Sequence, residues 1–177
     1  MADSLGDRMK ENYENRAKTY LVRRMPVIIR LDGKAFHTFT AHFKRPYDEV
    51  FHAAMNATTK HLCENIQGCK VGYTQSDEIT LLLTDYDTLT TAAWFDYGVQ
   101  KMCSVAASIA TLAFNKAFAN AAEELFLSDY TEAWNTSDED DNLAEAYQNA
   151  MDNGVMFDAR CFNIPVEEVV NCFIWRQ

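Results

Sequence analysis

Three carboxylates stand where a chain of this pattern would otherwise continue apolar. Asp32 follows VIIRL and precedes Gly33, while Asp77 and Glu78 are adjacent in QSDEI, between VGYT and ITLLL. A charge beside a buried strand is costly to desolvate unless something completes it. Oxygen ligands gathered from such positions suit Mg²⁺, a hard cation that takes one or two carboxylates and shares the phosphates of its substrate. Two such ions about 4 Å apart activate an attacking oxygen and stabilise a leaving pyrophosphate. Gly33 lets the backbone approach a ligand closely and offers its own carbonyl. The plainer alternative is structural: Asp-Gly and Ser-Asp-Glu are common in turns.

The adjacent pair need not share one role. On a strand, successive side chains point to opposite faces, so only one of Asp77 and Glu78 would face Asp32. Asp77 is assigned as the direct ligand and Glu78 as a supporting, hydrogen-bonding charge.

The elements around these residues are legible from their periodicity. VIIRL (27–31) follows Pro26 and reads as a buried strand closed by the DGK turn. From Pro46, placed in an early helical turn, Phe51, Met55, Thr58, Leu62 and Ile66 recur at helical spacing, and Gly68 ends the run. KVGYTQ and ITLLLTDY read as an antiparallel hairpin with the acidic pair at its junction. A long Ala-rich helix runs from candidate N-caps Thr90 and Thr91 to about residue 119. After an acidic insertion over about 123–152, VMFDARCFNI reads as a strand, and Pro165 opens a helix still running at Trp175-Arg176-Gln177. SDEDD (137–141) reads as an exposed loop or a helix start, and residues 8–20 as a short helix or arm.

This order matches the split βαβ, ferredoxin-like plan. The expected class is α+β: an antiparallel sheet of the polymerase-palm type, with helices on one face and the other face open. Residues 1–177 are expected to form a single palm-like domain, catalytic if the carboxylates hold metal. The first strand and the hairpin are neighbours in that plan, so Asp32 and Asp77 can converge on one edge.

Composition excludes several other classes. The chain has 177 residues, 48% apolar and 24% charged, ample for one core. Its five cysteines (63, 69, 103, 161, 172) are odd in number and have no C-x-x-C spacing, which predicts reduced, packed thiols in a cytoplasmic protein rather than a zinc site. His37, His42, His52 and His61 form no H-E-x-x-H motif. MADSLGDRMK has no apolar h-region, and the Ala-rich segment is interrupted by polar residues, so neither a secretory leader nor a membrane span is expected. Net charge is −10, yet ten of the 16 basic residues precede Pro46, and no Lys or Arg falls within 123–152. One end can therefore face a polyanion, or the asymmetry is simply solvated.

RLDGKAFHTF (30–39), QSDEIT (75–80), FDAR (157–160) and the terminal WRQ (175–177), in that order, resemble the tRNA-His guanylyltransferase family, with its wider group of 3′-to-5′ nucleotide-adding polymerases. The resemblance runs from about residue 25 to 177. It implies addition of nucleotides to the 5′ end of tRNA with two Mg²⁺ ions, either as tRNA-His guanylylation or as repair of 5′-truncated tRNA. GTP, ATP or other NTPs would be the small partners, and a dimer or tetramer the expected assembly, with no membrane involved. Carried over by position, Asp32, Gly33 and Asp77 match the metal ligands, and Glu78 the acid that follows them. The backbone of Lys34, Ala35, Phe36 and His37 matches the triphosphate loop, with Ser76 and Arg45 near it. Lys101 matches the second-nucleotide region, where Gly98 stands in place of a frequent arginine. Asn171 is a candidate polar support. Asp158 and Arg160 read as a structural ion pair, and Phe36, Phe39 and Trp94 as core. Family members continue past WRQ, so this chain is expected to lack their C-terminal region. The alternatives are a catalytically impaired nucleotide- or RNA-binding palm and a nucleotide cyclase.

Overall fold

The computed structural model describes residues 4–129 and 138–177, with side chains described outside 128–141. The N-terminal arm is a short helix, α1 (Leu5–Asn12), whose Ser4 cap accepts the Asp7 N–H at 3.1 Å, and a 3-10 turn (Glu14–Ala17). Neither buries a residue. The arm joins the body where Arg23 Nε and the Arg24 N–H donate to the fully buried Asp85, at 2.6 and 2.8 Å.

The body is a four-stranded antiparallel sheet. After β1 (Val27–Gly33) come α2 (Phe36–Phe39), α3 (Glu49–Asn65), β2 (Cys69–Gln75) and β3 (Glu78–Leu83). Next are α4 (Val99–Asp129), α5 (Asp138–Asn153), β4 (Phe157–Asn163) and α6 (Val166–Trp175). Strand order is β2-β3-β1-β4, the ferredoxin-like order expected from the sequence. Val27, Ile29 and Leu31 point to the face covered by α3 and α4. There they meet Met55 and Leu62 of α3, and Met102, Ala106, Ala110, Phe114 and Phe118 of α4, all buried at helical spacing. An aromatic cluster closes this core at the end of β1, where the Phe36 ring lies 5.2–5.9 Å from Phe39, Phe51, Phe114 and Phe157.

Four sequence expectations change. Pro46 lies outside α3; the N-cap is Asp48, whose carboxylate accepts the Phe51 N–H at 2.9 Å. Thr90 and Thr91 do not cap α4. The Thr91 hydroxyl accepts the Thr88 N–H, and Phe95, Asp96 and Tyr97 at φ 51°, 53° and 58° prevent any helix from running through to Val99. α4 runs on to Asp129, past its expected end near residue 119, while α5 begins at Asp138, the helix start read for SDEDD, and residues 130–137 lie outside the described residues. Finally, the second sheet face is not open. α6 lies against it, with the Trp175 ring 4.8 Å from the Arg30 guanidinium and Phe173 edge-on to Tyr73.

The segment Val99–Leu127 of α4 is long and apolar enough to cross a membrane by length and composition, with a mean hydropathy of 1.3. In the fold its apolar face is spent on the sheet and on α3.

Candidate active site

The strand register builds the site. Residues directly opposite in antiparallel strands project to the same face. The pairs Gln75↔Glu78, Asp32↔Glu78 and Asp32↔Asp158 therefore form one row across all four strands. The next row is Tyr73, Thr80, Arg30 and Arg160. Three acids of one row thus abut two arginines of the next on the face that carries α6.

Asp77 belongs to neither row. Ser76, at φ 53°, and Asp77 form the two-residue turn between β2 and β3. Strand alternation therefore does not divide the acidic pair: Glu78, not Asp77, stands across from Asp32. What separates the two is their partners. Arg176, the C-cap of α6, donates its Nε–H to Glu78 Oε2 at 2.6 Å, and its Nη2 pairs with Oε1. Asp77 instead turns back to β1, where its carbonyl accepts the Gly33 N–H at 3.2 Å, and it receives the Ser76 hydroxyl at 3.1 Å.

Asp32 carries the electrostatic signature of the site. Burial raises its carboxyl above the ordinary range, and the negative charges of Asp77 and Asp158 raise it further, against the opposing pull of Arg160 and Arg176. Such a carboxylate would be relieved by a cation. Among the described residues, no group of three or more His, Cys, Asp or Glu side chains is gathered closely enough to hold a metal by protein ligands alone. Mg²⁺ needs fewer: one or two carboxylates, with waters and phosphates supplying the rest. Asp32, Asp77 and the Gly33 carbonyl fit that donor set.

The loop after Gly33 offers the complementary charge. Ala35 is left-handed at φ 58° and opens α2. The Lys34 N–H is already taken by the Met156 carbonyl at 2.8 Å. Among the described residues, the N–H groups of Ala35, Phe36 and His37 meet no acceptor. Three successive free amides in a tight turn form an anion-binding concavity. The loop is held from below by the buried Phe36 ring, and Gly33 is required beneath it because a Cβ there would run into that ring. The His37 ring lies outside, 3.1 Å from the Thr38 hydroxyl.

The structure thus brings Asp32, Gly33, Ser76, Asp77 and Glu78 to one edge, with the 35–37 amides in the adjoining loop. Arg45 is exposed in the segment between α2 and α3. Lys101 is not brought to this edge. It sits in the first turns of α4 with its ammonium 4.9 Å from the Phe95 ring centroid, ten residues (about 15 Å of helix) before Thr111, whose hydroxyl accepts the N–H of Phe157 beside Gly33. Asn171 is exposed and donates to Glu168 at 3.0 Å. Asp158 and Arg160 are paired at 3.1 Å, as expected, but Asp158 also faces Asp32 across the strand.

Two side chains at the site had no role assigned from sequence. Arg176 holds Glu78. Arg30 is buried between the Trp175 and Phe162 rings with its Nε unpartnered. The available signal was the i, i+2 spacing of Arg30 and Asp32, which puts both on one strand face.

A sequence model of tRNAHis guanylyltransferase (Thg1) matches residues 6–165. The chain is 30% identical over 184 residues to an uncharacterized protein of Acanthamoeba polyphaga mimivirus, covering 99% of this chain and 58% of that one. Two solved structures of a bacterial tRNA(His) guanylyltransferase (Thg1)-like protein are each 40% identical. The complex with ATP superposes at a TM-score of 0.75 over 98% of this chain and 64% of that chain. The complex with GTP superposes at 0.76 over 99% and 70%. The tRNA(His) guanylyltransferase of Saccharomyces cerevisiae, at 22% identity and a TM-score of 0.63, shares the fold over 94% of this chain and 64% of its own. The chain therefore spans between about three fifths and seven tenths of the length of these relatives.

Proposed function

The chain belongs to the tRNAHis guanylyltransferase family, and on that premise we propose that it adds nucleotides to the 5′ end of tRNA, in the 3′-to-5′ direction, with two Mg²⁺ ions. The observation that carries the proposal is the meeting of Asp32 and Asp77 at one sheet edge beside three unmatched loop amides. Oxygen donors that suit a cation beside N–H donors that suit a triphosphate support this reading.

Asp32, Asp77 and the Gly33 carbonyl would hold the ions, which supply charge neutralisation at the reacting phosphate. The amides of Ala35, Phe36 and His37 bind the triphosphate of the incoming nucleotide, and Arg45, exposed in the segment after α2, is the candidate side chain to join them. Ser76 orients Asp77 through its hydroxyl. Arg176 fixes Glu78 through both carboxylate oxygens, so one acid of the row stays clear of the substrate. In the transfer, the incoming 3′-hydroxyl oxygen bonds the 5′-terminal phosphorus of the RNA. The bond to AMP or pyrophosphate breaks, and the hydroxyl proton leaves to solvent.

Between single guanylylation of tRNA-His and templated 5′ repair, we favour repair. Gly98 stands where relatives often carry an arginine, and it packs beneath Tyr20, with 3.6 Å between a built Cβ and that ring. Labelled NTPs and Mg²⁺ offered with 5′-monophosphorylated tRNA-His, and separately with a tRNA lacking its first nucleotide, test this. Incorporation into the second RNA matching the opposing base is expected. A cyclic nucleotide from NTP alone would make the protein a cyclase, and no product from either RNA would leave a binding palm.

A further inference from the structure

A cavity of about 400 Å³ lies between the amide loop and α5, and none of the site carboxylates lines it. One wall is a single face of α5, where Ala146, Asn149, Ala150 and Asn153 follow i, i+3, i+4, i+7 spacing. The two alanines leave the space, and the two asparagines stand at its rim. Lys34 and His42 come from the opposite wall, and Met156, 64% exposed, forms one side. The frame is fixed. Asn115 holds the Val155 N–H and carbonyl at 2.9 and 3.0 Å, and the Met156 carbonyl is tied to the Lys34 amide.

The polar groups around this space are not spent on one another. The side chains of Lys34, His42 and Asn149 have no hydrogen bond to any described residue. Asn153 donates its amide N–H to the Asn149 carbonyl, which leaves its Oδ1 free. Carboxamides offer a donor and an acceptor side by side, the pairing that reads a base edge. A thioether wall suits the face of an aromatic ring. Lys34 supplies a point charge for phosphate, and the volume is within the range of small-ligand sites.

We propose that this cavity binds a nucleoside monophosphate unit, with its base against Asn149, Asn153 and Met156 and its phosphate at Lys34. It shares Lys34 and Ala35 with the triphosphate loop but lies on the α5 side of it, and no residue of the carboxylate edge lines it. Lys34 is two residues from Asp32, so the phosphate of the bound unit lies at the entrance to that edge. The unit is a free nucleotide or the terminal nucleotide of an RNA; the chemistry recognised is the same.

The test is titration of the metal-free protein with AMP and GMP, followed by the methyl NMR signal of Met156, assigned with Met156→Leu. Saturable shifts are expected, with affinity lowered about tenfold in Asn149→Ala and in Asn153→Ala. Asp32→Ala, which removes the proposed transfer activity, should leave this binding unchanged, so the two readings fail separately. A 5′-phosphorylated oligonucleotide that shifts Met156 at lower concentration than AMP identifies the RNA end as the source, and the reverse order identifies the free nucleotide. The proposal is overturned by no shift up to about 10 mM nucleotide, by wild-type affinity in both asparagine variants, or by inorganic phosphate alone giving the full shift.

Discussion

Arg176 and Glu78 lie 98 residues apart in the chain and meet at 2.6 Å, so the end of α6 is bolted to the hairpin that carries the acidic turn. Both side chains are largely shielded, at 28% and 22% exposure, which makes this contact more than a surface pair. Arg176→Ala leaves Glu78 without its partner, directly across from an already crowded Asp32. We expect a loss of about 1–3 kcal/mol in denaturant unfolding and a fall of about 10–100-fold in nucleotide addition. Wild-type values in both measurements would remove Arg176 from the site.

Asp32 gives a pH dependence whose sign is fixed. Its folded-state pKa lies above the unfolded one, so the folded protein binds the proton more tightly. The stability this contributes is complete below the unfolded value and is lost as pH rises through the raised folded value. Metal-free Asp32→Asn should therefore melt above wild type at pH 7–8, with the gap closing as the pH is lowered toward the ordinary carboxylate range. Adding Mg²⁺ should raise the melting temperature of wild type and not that of the variant. A variant less stable than wild type at neutral pH contradicts the assignment.

Asp77 and Glu78 should separate in a metal titration. Asp77→Ala removes the proposed direct donor and is expected to abolish addition with the fold intact by circular dichroism. Glu78→Ala removes the partner of Arg176 and should weaken Mg²⁺ binding less, with activity down about 10–100-fold. The reverse order of Mg²⁺ affinities would exchange their roles.

The Tyr147 hydroxyl donates to Asp48 Oδ2 at 2.7 Å and so pins α5 to the cap of α3. Burial, and then the hydrogen bond to Asp48, hold this phenol far above its ordinary range, so it remains a donor at every working pH. Tyr147→Phe keeps the ring packing against Phe43 and Phe118 and removes only the donor. It should cost about 1–2 kcal/mol in urea unfolding. A neutral result would mean that the Phe51 and Lys44 amides alone satisfy the Asp48 carboxylate.

Gly33→Ala is expected to destabilise by about 1–3 kcal/mol, because the Phe36 ring is hemmed in by four other phenylalanines and cannot yield. A further loss of triphosphate binding would follow if Phe36 moves and takes the loop amides with it, which a competition assay with inorganic triphosphate reads directly.

The strands and core faces were legible because their cause is local. VIIRL between Pro26 and Asp32-Gly33 leaves little but a buried strand, and the spacing of Phe51, Met55 and Leu62 leaves little but a helix. The convergence of Asp32 with the hairpin was also legible, once the split βαβ order was read. The register was not. Nothing in QSDEI says that the turn consumes Ser76 and Asp77, leaving Glu78 as the first strand residue. The late start of α4 was hidden too, because three consecutive left-handed residues at Phe95, Asp96 and Tyr97 run against the preferences of their side chains and are imposed by tertiary packing. The Arg176 contact depends on where α6 comes to rest, and no local pattern encodes that.

The two-residue turn at Ser76 and Asp77 also sets what this gene can tolerate. A single inserted or deleted codon there would move β3 by one position against β1 and β2 and exchange its faces. Ile79 and Leu81 would be turned out of the core, and Glu78 and Thr80 driven into it. Substitutions in this turn change chemistry, whereas length changes abolish the fold, so variation here is expected in residue type and not in number.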